Sequence, residues 1–453
     1  MVQYKSNGGF GYILFLSIVA ALGGILFGYD TAVISGTNGV VQQQFHLTDL
    51  QLGWYGGCAI LGSIAGVAIA GMLSDTIGRK KSMLIAATMF SISAIGCAVS
   101  PSLNALVIYR IIGGFGIGIV SIVSPMYISE VATPERRGML VSLYQLAVTF
   151  GIVLAYFINF IILKNADTQS QSTELSVRMF NSEYWRGMLG CETIPDLMFF
   201  FLIFFIPESP RWLMTHKAAK ENKVSEWKYL AEPGILAAVI IGSCIAILGQ
   251  FMGVNAVIYY GPTIFSKAGL SGDASMFSQF LVGTVNLVTT IIAASIIDKV
   301  GRKKLIYYGV SGMIVCLVCI GIYFATGNSL PTWFLVTFFL LYIFAQAISI
   351  SAVVFVLLSE MYPNRVRGLA MSIAGLALWV GTYLIAQLTP WLLDNENVSS
   401  WRSPAGTFFL FAFMCIPYML IMWKLVPETT GKTLEEIEEY WKNWNKKTKR
   451  HET

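Results

Sequence analysis

Polar residues interrupt this chain so rarely that its long apolar stretches, rather than any alternation of apolar and polar positions, form its organising pattern. Runs long enough to cross roughly 30 Å of hydrocarbon as helices occupy 11–36, 52–74, 82–100, 104–128, 141–164 and 187–206. Six more occupy 234–262, 278–297, 305–326, 331–358, 369–393 and 403–425. The pattern predicts an all-α integral membrane protein with twelve transmembrane helices in two six-helix halves, separated by a polar stretch at 212–231. Composition agrees: 55% of residues are hydrophobic and 12% charged, against about 25% charged in soluble domains.

Orientation follows from Lys and Arg, which concentrate in short cytoplasmic loops. Arg79, Lys80, Lys81, Arg136, Arg137, Arg211, Arg302, Lys303, Lys304, Arg365 and Arg367 all follow even-numbered spans, while 37–51 has none. Both termini are therefore expected to be cytoplasmic. The net charge of +5 is this bias plus the basic tail from Lys442 to Arg450, so no nucleic-acid partner is expected. No cleavable leader is expected before the first span, which is expected to direct insertion itself. The seven cysteines lie in apolar spans as small hydrophobes, and Cys316-x-x-Cys319 has no His or second Cys pair to make a metal site.

The expected organisation is a first half at 1–206, a cytoplasmic linker at 207–232, a second half at 233–426 and a tail at 427–453. The segment 165–184, rich in Ser, Gln, Thr and Asn, reads as a poorly ordered external loop. Thr433 to Trp444 reads as a short helix, acidic at its start and basic at its end. Glycines recur inside spans, as Gly23, Gly24 and Gly28 and again as Gly113, Gly114, Gly116 and Gly118. They suit helices that approach closely, whether for sliding or for static packing.

Short phrases repeat between the halves. Asp75-x-x-Gly78-Arg79-Lys80-Lys81 returns as Asp298-x-x-Gly301-Arg302-Lys303-Lys304, about 220 residues later. At nearly the same offset, Ser129-Glu130 through Arg137-Gly138 returns as Ser359-Glu360 through Arg367-Gly368, and Pro207-Glu208-Ser209-Pro210-Arg211 as Pro427-Glu428-Thr429-Thr430-Gly431. Three phrases in one order indicate a duplicated membrane unit, and parallel repeats of this kind point to a transporter. The Gly supplies a tight turn between spans, and Arg79 or Arg302 is placed to pair with Glu130 or Glu360. Asp75, Arg79, Glu130, Arg137, Glu208 and Arg211, with Asp298, Arg302, Glu360, Arg367 and Glu428, are expected to latch the cytoplasmic side. Plain positive-inside anchoring explains the Lys residues but not the spaced Asp and Gly.

Ionisable residues at membrane depth cost roughly 2.5–3.5 kcal/mol on insertion scales and are functional candidates by default. Asp30 lies in the first span, Arg110 early in the fourth, and Glu192 and Asp196 one turn apart in the sixth. Asp30 and Arg110 can pair, either as a fixed strut or as a proton-exchanging couple in which an apolar cavity favours the neutral acid and an approaching guanidinium the carboxylate. His46, His216 and His451 fall in loops or the tail, which leaves proton carriage to carboxylates. The seventh span holds Gln250, Gly253, Asn255, Tyr259 and Tyr260, and Gln145, Asn286 and Trp379 lie in others. Amides with aromatic rings suit an uncharged, polyhydroxylated ligand, although amides also hold helices together.

These residues resemble the sugar porter branch of the major facilitator superfamily, especially bacterial proton-coupled monosaccharide symporters and animal glucose facilitators. The likeness runs through Gly28-Tyr29-Asp30-Thr31, Gly78-Arg79-Lys80, Arg110-Ile-Ile-Gly-Gly, Pro207-Glu-Ser-Pro-Arg211-Trp212, Gln250 to Tyr260 and Pro427-Glu-Thr-Thr-Gly-Lys432. It implies the major facilitator fold, proton coupling through Asp30, Arg110 and Glu192, and sugar contacts from Gln145, Gln250, Asn255, Tyr259, Asn286, Phe355 and Trp379. Asp196 matches no family acid, since relatives carry a small apolar residue there. The family's paired Gln is Gly249-Gln250, its Gly-Pro-x-x-Trp is Ser351-Ala352-Val-Val-Phe355, and its amide before Trp379 is Leu378. The linker is shorter than the family's helical insert.

The expected activity is therefore proton-coupled symport of a monosaccharide, pentose or hexose, by alternating access, in a monomer embedded as a multi-pass protein in the cell membrane. No cofactor is expected beyond the proton as coupling ion. A passive facilitator and a non-transporting sugar sensor are the other readings; the short tail argues against the sensor, and the lack of a nucleophile–base pair or metal-ligand spacing argues against an enzyme.

Overall fold

A computed structural model describes residues 10–133, 136–166, 178–218, 229–230, 232–327, 329–363, 366–394, 403–429 and 434–444. The first half runs α1 (Phe10–Phe45), α2 (Asp49–Ile77), α3 (Arg79–Val99), α4 (Leu103–Val131) and α5 (Arg137–Ala166), then α6 (Tyr184–Gly190) and α7 (Thr193–Ile203). A short helix, α8 (Pro210–Ala218), begins the linker. The second half runs α9 (Pro233–Phe251), α10 (Val254–Lys267), α11 (Gly272–Val300), α12 (Arg302–Ala325), α13 (Thr332–Gln346), α14 (Ala352–Met361), α15 (Arg367–Leu393) and α16 (Pro404–Lys424), followed by α17 (Leu434–Lys442) in the tail. Contacts divide the chain into Met1–His46 with Cys58–Lys220, and Leu47–Gly57 with Glu221–Thr453.

Among the described residues eleven spans are long and apolar enough to cross a membrane, two of them, α9–α10 and α13–α14, built from consecutive helices. The sixth is the exception, because it is broken between α6 and α7. Pro195 has no N–H to bond the Cys191 carbonyl, so the ladder cannot continue through Cys191 and Glu192. Ile194 N–H turns to that carbonyl instead, at 3.3 Å. Helix also starts earlier than expected, at Tyr184, inside the segment read as an external loop; residues 167–177 of that loop lie outside the described residues.

Each half repeats one packing scheme. In the first, α1 packs on α5, and α3 on both α4 and α7; in the second, α9 packs on α15, and α12 on both α13 and α16. Each contact recurs six spans later, which is what a duplicated unit predicts. The α1–α5 seam depends on missing side chains: a Cβ on Gly28 would stand 2.0 Å from the Val148 carbonyl oxygen, and one on Gly151 2.1 Å from that of Ile25. Outward-facing Met72, Ile194, Phe205, Tyr308 and Trp333 are largely exposed, as residues meeting hydrocarbon must be. In the tail, α17 lies against α9 and α14, with Trp441 fully buried.

Candidate functional site

Deep in the first half, α1 carries Asp30 and α4 carries Arg110, and the two are ion-paired with 3% and 2% of their side-chain surface exposed. Arg110 also reaches the Asp30 carbonyl oxygen at 3.4 Å. Beside them the break in the sixth span holds Glu192, and Asp196 follows one turn later, its N–H bonded to the Glu192 carbonyl at 3.1 Å. Tyr29 ties α1 to this region by donating its hydroxyl to the Met188 carbonyl at 3.0 Å. Glu192 lies within charge reach of Asp30, Arg110 and Asp196, and Asp196 within reach of Asp30. Asp30 Oδ2, Glu192 Oε1 and both oxygens of Asp196 are buried without a hydrogen-bond partner. Two carboxyls beside one guanidinium, with a third within reach of Asp30, form a buried cluster that can bind, hold and release protons.

In the second half the seventh span breaks at Met252–Gly253. Gly253 adopts φ 91°, a left-handed conformation open chiefly to glycine, and the ring of Phe411 fills the space where a Cβ would sit. The hydroxyl of Tyr342 satisfies the freed Met252 carbonyl at 2.7 Å. Broken helices of this kind line substrate sites in transporters. Gln250 and Asn255 flank the break: Asn255 Nδ2 donates to Gln250 Oε1 at 2.6 Å, and the hydroxyl of Thr382, on α15, donates to the same oxygen at 3.2 Å.

Thr382 had no sequence signal beyond lying three residues after Trp379. Both Trp379 and Asn286 are half-buried, and Tyr259 is buried. Phe355 is 50% exposed on α14, one turn after a π-helical turn, Ala347–Ser351, in the tenth span. Gly249 instead faces Ile350 and Tyr418, each 3.8 Å from its would-be Cβ. Gln145, on α5, is exposed.

The duplicated phrases form one constellation in each half. Arg79 lies between Glu130, at 3.1 Å, and Asp75, at 3.0 Å, and Ser209 donates its hydroxyl to Glu130. Arg302 bonds Glu360 at 3.0 Å, and Thr429 donates to Glu360 at 2.6 Å. Lys80 and Lys303 reach the carbonyls of Phe204 and Val426 at 3.0 and 2.8 Å. At the turn of the first copy Glu208 accepts the N–H groups of Arg79 and Lys80 at 2.8 and 3.1 Å and so satisfies the start of α3. Arg367 bonds the Tyr362 carbonyl at 3.3 Å, and Arg137 is exposed. Arg211 and Glu428 both have partners, while the side chain of Asp298 lies outside the described residues.

Comparison with known proteins places this arrangement. The family described as "Sugar (and other) transporter" matches residues 16–227 and 215–441. The D-xylose-proton symporter of Escherichia coli (strain K12) is 36% identical over 502 residues, covering 100% of this chain and 99% of the relative. The arabinose-proton symporter of Bacillus subtilis (strain 168) is 36% identical over 462 residues, covering 95% of each chain. A crystal structure of a D-xylose-proton symporter superposes with a TM-score of 0.79 at 37% identity, covering 93% of this chain and 100% of that one. With the family matched along nearly its whole length and the fold shared, the chain belongs to the sugar porter family of the major facilitator superfamily: a multi-pass sugar transporter of the cell membrane, not an enzyme.

Proposed function

We propose that this transporter moves a monosaccharide, a pentose or a hexose, together with a proton by alternating access, with both termini in the cytoplasm. The observation that carries the reading is the buried Asp30–Arg110 pair, because a charge pair at that depth is costly and one protonation event uncouples it. Relatives named as proton symporters of xylose and arabinose support the same reading. Asp30 takes the coupling proton, Arg110 sets when it is bound, and Glu192 at the helix break receives the guanidinium when Asp30 becomes neutral. Gln250 and Asn255 at the second break bind sugar hydroxyls, with Tyr259, Asn286, Trp379, Phe355 and Gln145 as further contacts. The Arg79–Glu130 and Arg302–Glu360 constellations latch the cytoplasmic ends of the two halves, and no cofactor takes part.

Uptake into proteoliposomes tests this. Across a panel of labelled pentoses, hexoses and polyols, an imposed proton gradient should drive accumulation of a monosaccharide. One charge moving inward is worth roughly 2.3 kcal/mol per 100 mV, about fifty-fold accumulation. Asp30→Asn keeps the size and hydrogen bonding but cannot titrate, so accumulation is expected to vanish while downhill exchange persists. Undiminished uphill uptake in that variant would refute proton coupling at Asp30.

A further inference from the structure

The acidic cluster of the first half holds one carboxylate more than the Asp30–Arg110–Glu192 arrangement uses. Asp196 is completely buried, as are Asp30, Arg110 and Glu192 nearly so, yet neither of its side-chain oxygens accepts a hydrogen bond or meets a cation. Its backbone N–H donates to the Glu192 carbonyl. A side chain that bonds nothing does not hold the helices together, so its polarity has no structural use. α7 packs on α1 and α3. Asp30 and Tyr29 face it from α1, and Glu192 and Cys191 belong to its own span. From α3 comes Cys97, within charge reach of Asp30, Arg110 and Glu192. The one cation in this set, Arg110 on α4, is paired with Asp30.

We propose that Asp196 is a second proton-binding site of the first half, filled alongside the Asp30–Arg110 pair. The charge count carries this. With Arg110 neutralising Asp30, two carboxyls remain in a dry interior, and the cluster is electrically neutral only when each of them holds a proton. A metal ion would do the same if several acids converged on one point, but no group of three or more His, Cys, Asp or Glu side chains among the described residues is arranged to hold one. A proton needs a single oxygen, and Asp196 offers two. Loading forms one O–H bond with a proton taken from water; release breaks it, leaves the electron pair on the carboxylate and returns the proton to water.

Because Asp196 feels Asp30, its state sets how readily Asp30 is reloaded. When Asp196 loses its proton at high pH, its negative charge favours protonation of Asp30, which extends uphill uptake toward alkaline pH. This consequence rests on the proton-coupled reading above, whereas occupancy of the site does not.

The test uses the full-length protein in lipid bilayers and pH-difference infrared spectroscopy, which reports the carbonyl stretch of protonated carboxylic acids directly. The wild type is expected to show buried protonated-carboxyl bands from two groups, of which Asp196→Asn removes one and Glu192→Gln the other, while Asp30→Asn retains the component that Asp196→Asn removes. The thermal unfolding temperature of Asp196→Asn is expected to be unchanged at neutral pH. In uptake, its alkaline limb should move down by about one pH unit, a shift that a merely structural residue would not produce. Spectra identical in wild type and Asp196→Asn would overturn the assignment, as would a band that appears only when sodium is withheld, which would make Asp196 a sodium ligand. Loss of accumulation in Asp30→Asn together with identical spectra sinks only the Asp196 site. Persistent accumulation in Asp30→Asn sinks the coupling reading whatever the spectra show.

Discussion

Gln250 and Asn255 commit part of their hydrogen-bonding capacity to each other and to Thr382, so a sugar would meet a joined amide pair rather than two independent ones. A bond from either amide to a ligand hydroxyl is worth on the order of 1 kcal/mol. Gln250→Ala and Asn255→Ala should thus each weaken sugar binding by about five-fold, measured calorimetrically on folded protein. The double variant should lose less than the sum, because the first substitution already disorders the second side chain. Strict additivity would mean that the mutual bond does not organise the site. The candidate amides were legible in the sequence because polar side chains are rare in these spans. Thr382 was not, since threonines in membrane helices usually bond their own backbone, and this one also does, to the Leu378 carbonyl at 3.0 Å. Gly249 stands where the family has the first of its paired Gln residues, but consecutive helical residues point about 100° apart, and its would-be Cβ meets Ile350 and Tyr418.

At the scale of elements, span number could be read from the length of apolar runs, but the breaks could not. A hydropathy window sees composition, and both broken spans are as apolar as unbroken ones. Their causes are local: a missing N–H at Pro195, and a glycine at φ 91° in position 253. Of the two, Gly253 is the more constrained, since an added Cβ would lie 2.3 Å from Cδ2 of Phe411. Gly253→Ala should therefore destabilise the protein by the left-handed backbone penalty of about 1–2 kcal/mol plus an overpacking term of about 1–3 kcal/mol. Thermal unfolding in detergent would show it. Adding Phe411→Leu should relieve overpacking but leave the backbone penalty, so the double variant is expected to recover only part of the loss. Full recovery would mean that the break tolerates an ordinary residue, and that glycine is there for space alone.

Across the whole molecule the duplication is the deepest regularity, and it was legible because a turn glycine, an arginine and a distant glutamate recur at one offset. The unequal burial of the two copies was not legible, because the sequence does not say which of two similar carboxylates is turned further from water. The first copy of the constellation gives Arg79 bonds to Glu130, Asp75 and the Ser74 carbonyl, and adds Glu208 over the N-terminus of α3. Arg302 bonds Glu360 and, at 3.5 Å, the Ile297 carbonyl, among other partners. Glu130 is also the drier acid, with 7% of its side chain exposed against 24% for Glu360. Removing one partner of a buried pair costs about 3–5 kcal/mol, whereas a half-wet pair is worth about 1–3 kcal/mol. Arg79→Ala should accordingly loosen its half more than Arg302→Ala loosens the other. Amide hydrogen exchange reads both within one molecule, at the α2–α3 turn and at the α11–α12 turn, with the unmutated half as internal reference. Equal loss of protection at the two turns would show that the drier setting of Glu130 adds nothing to the strength of its pair.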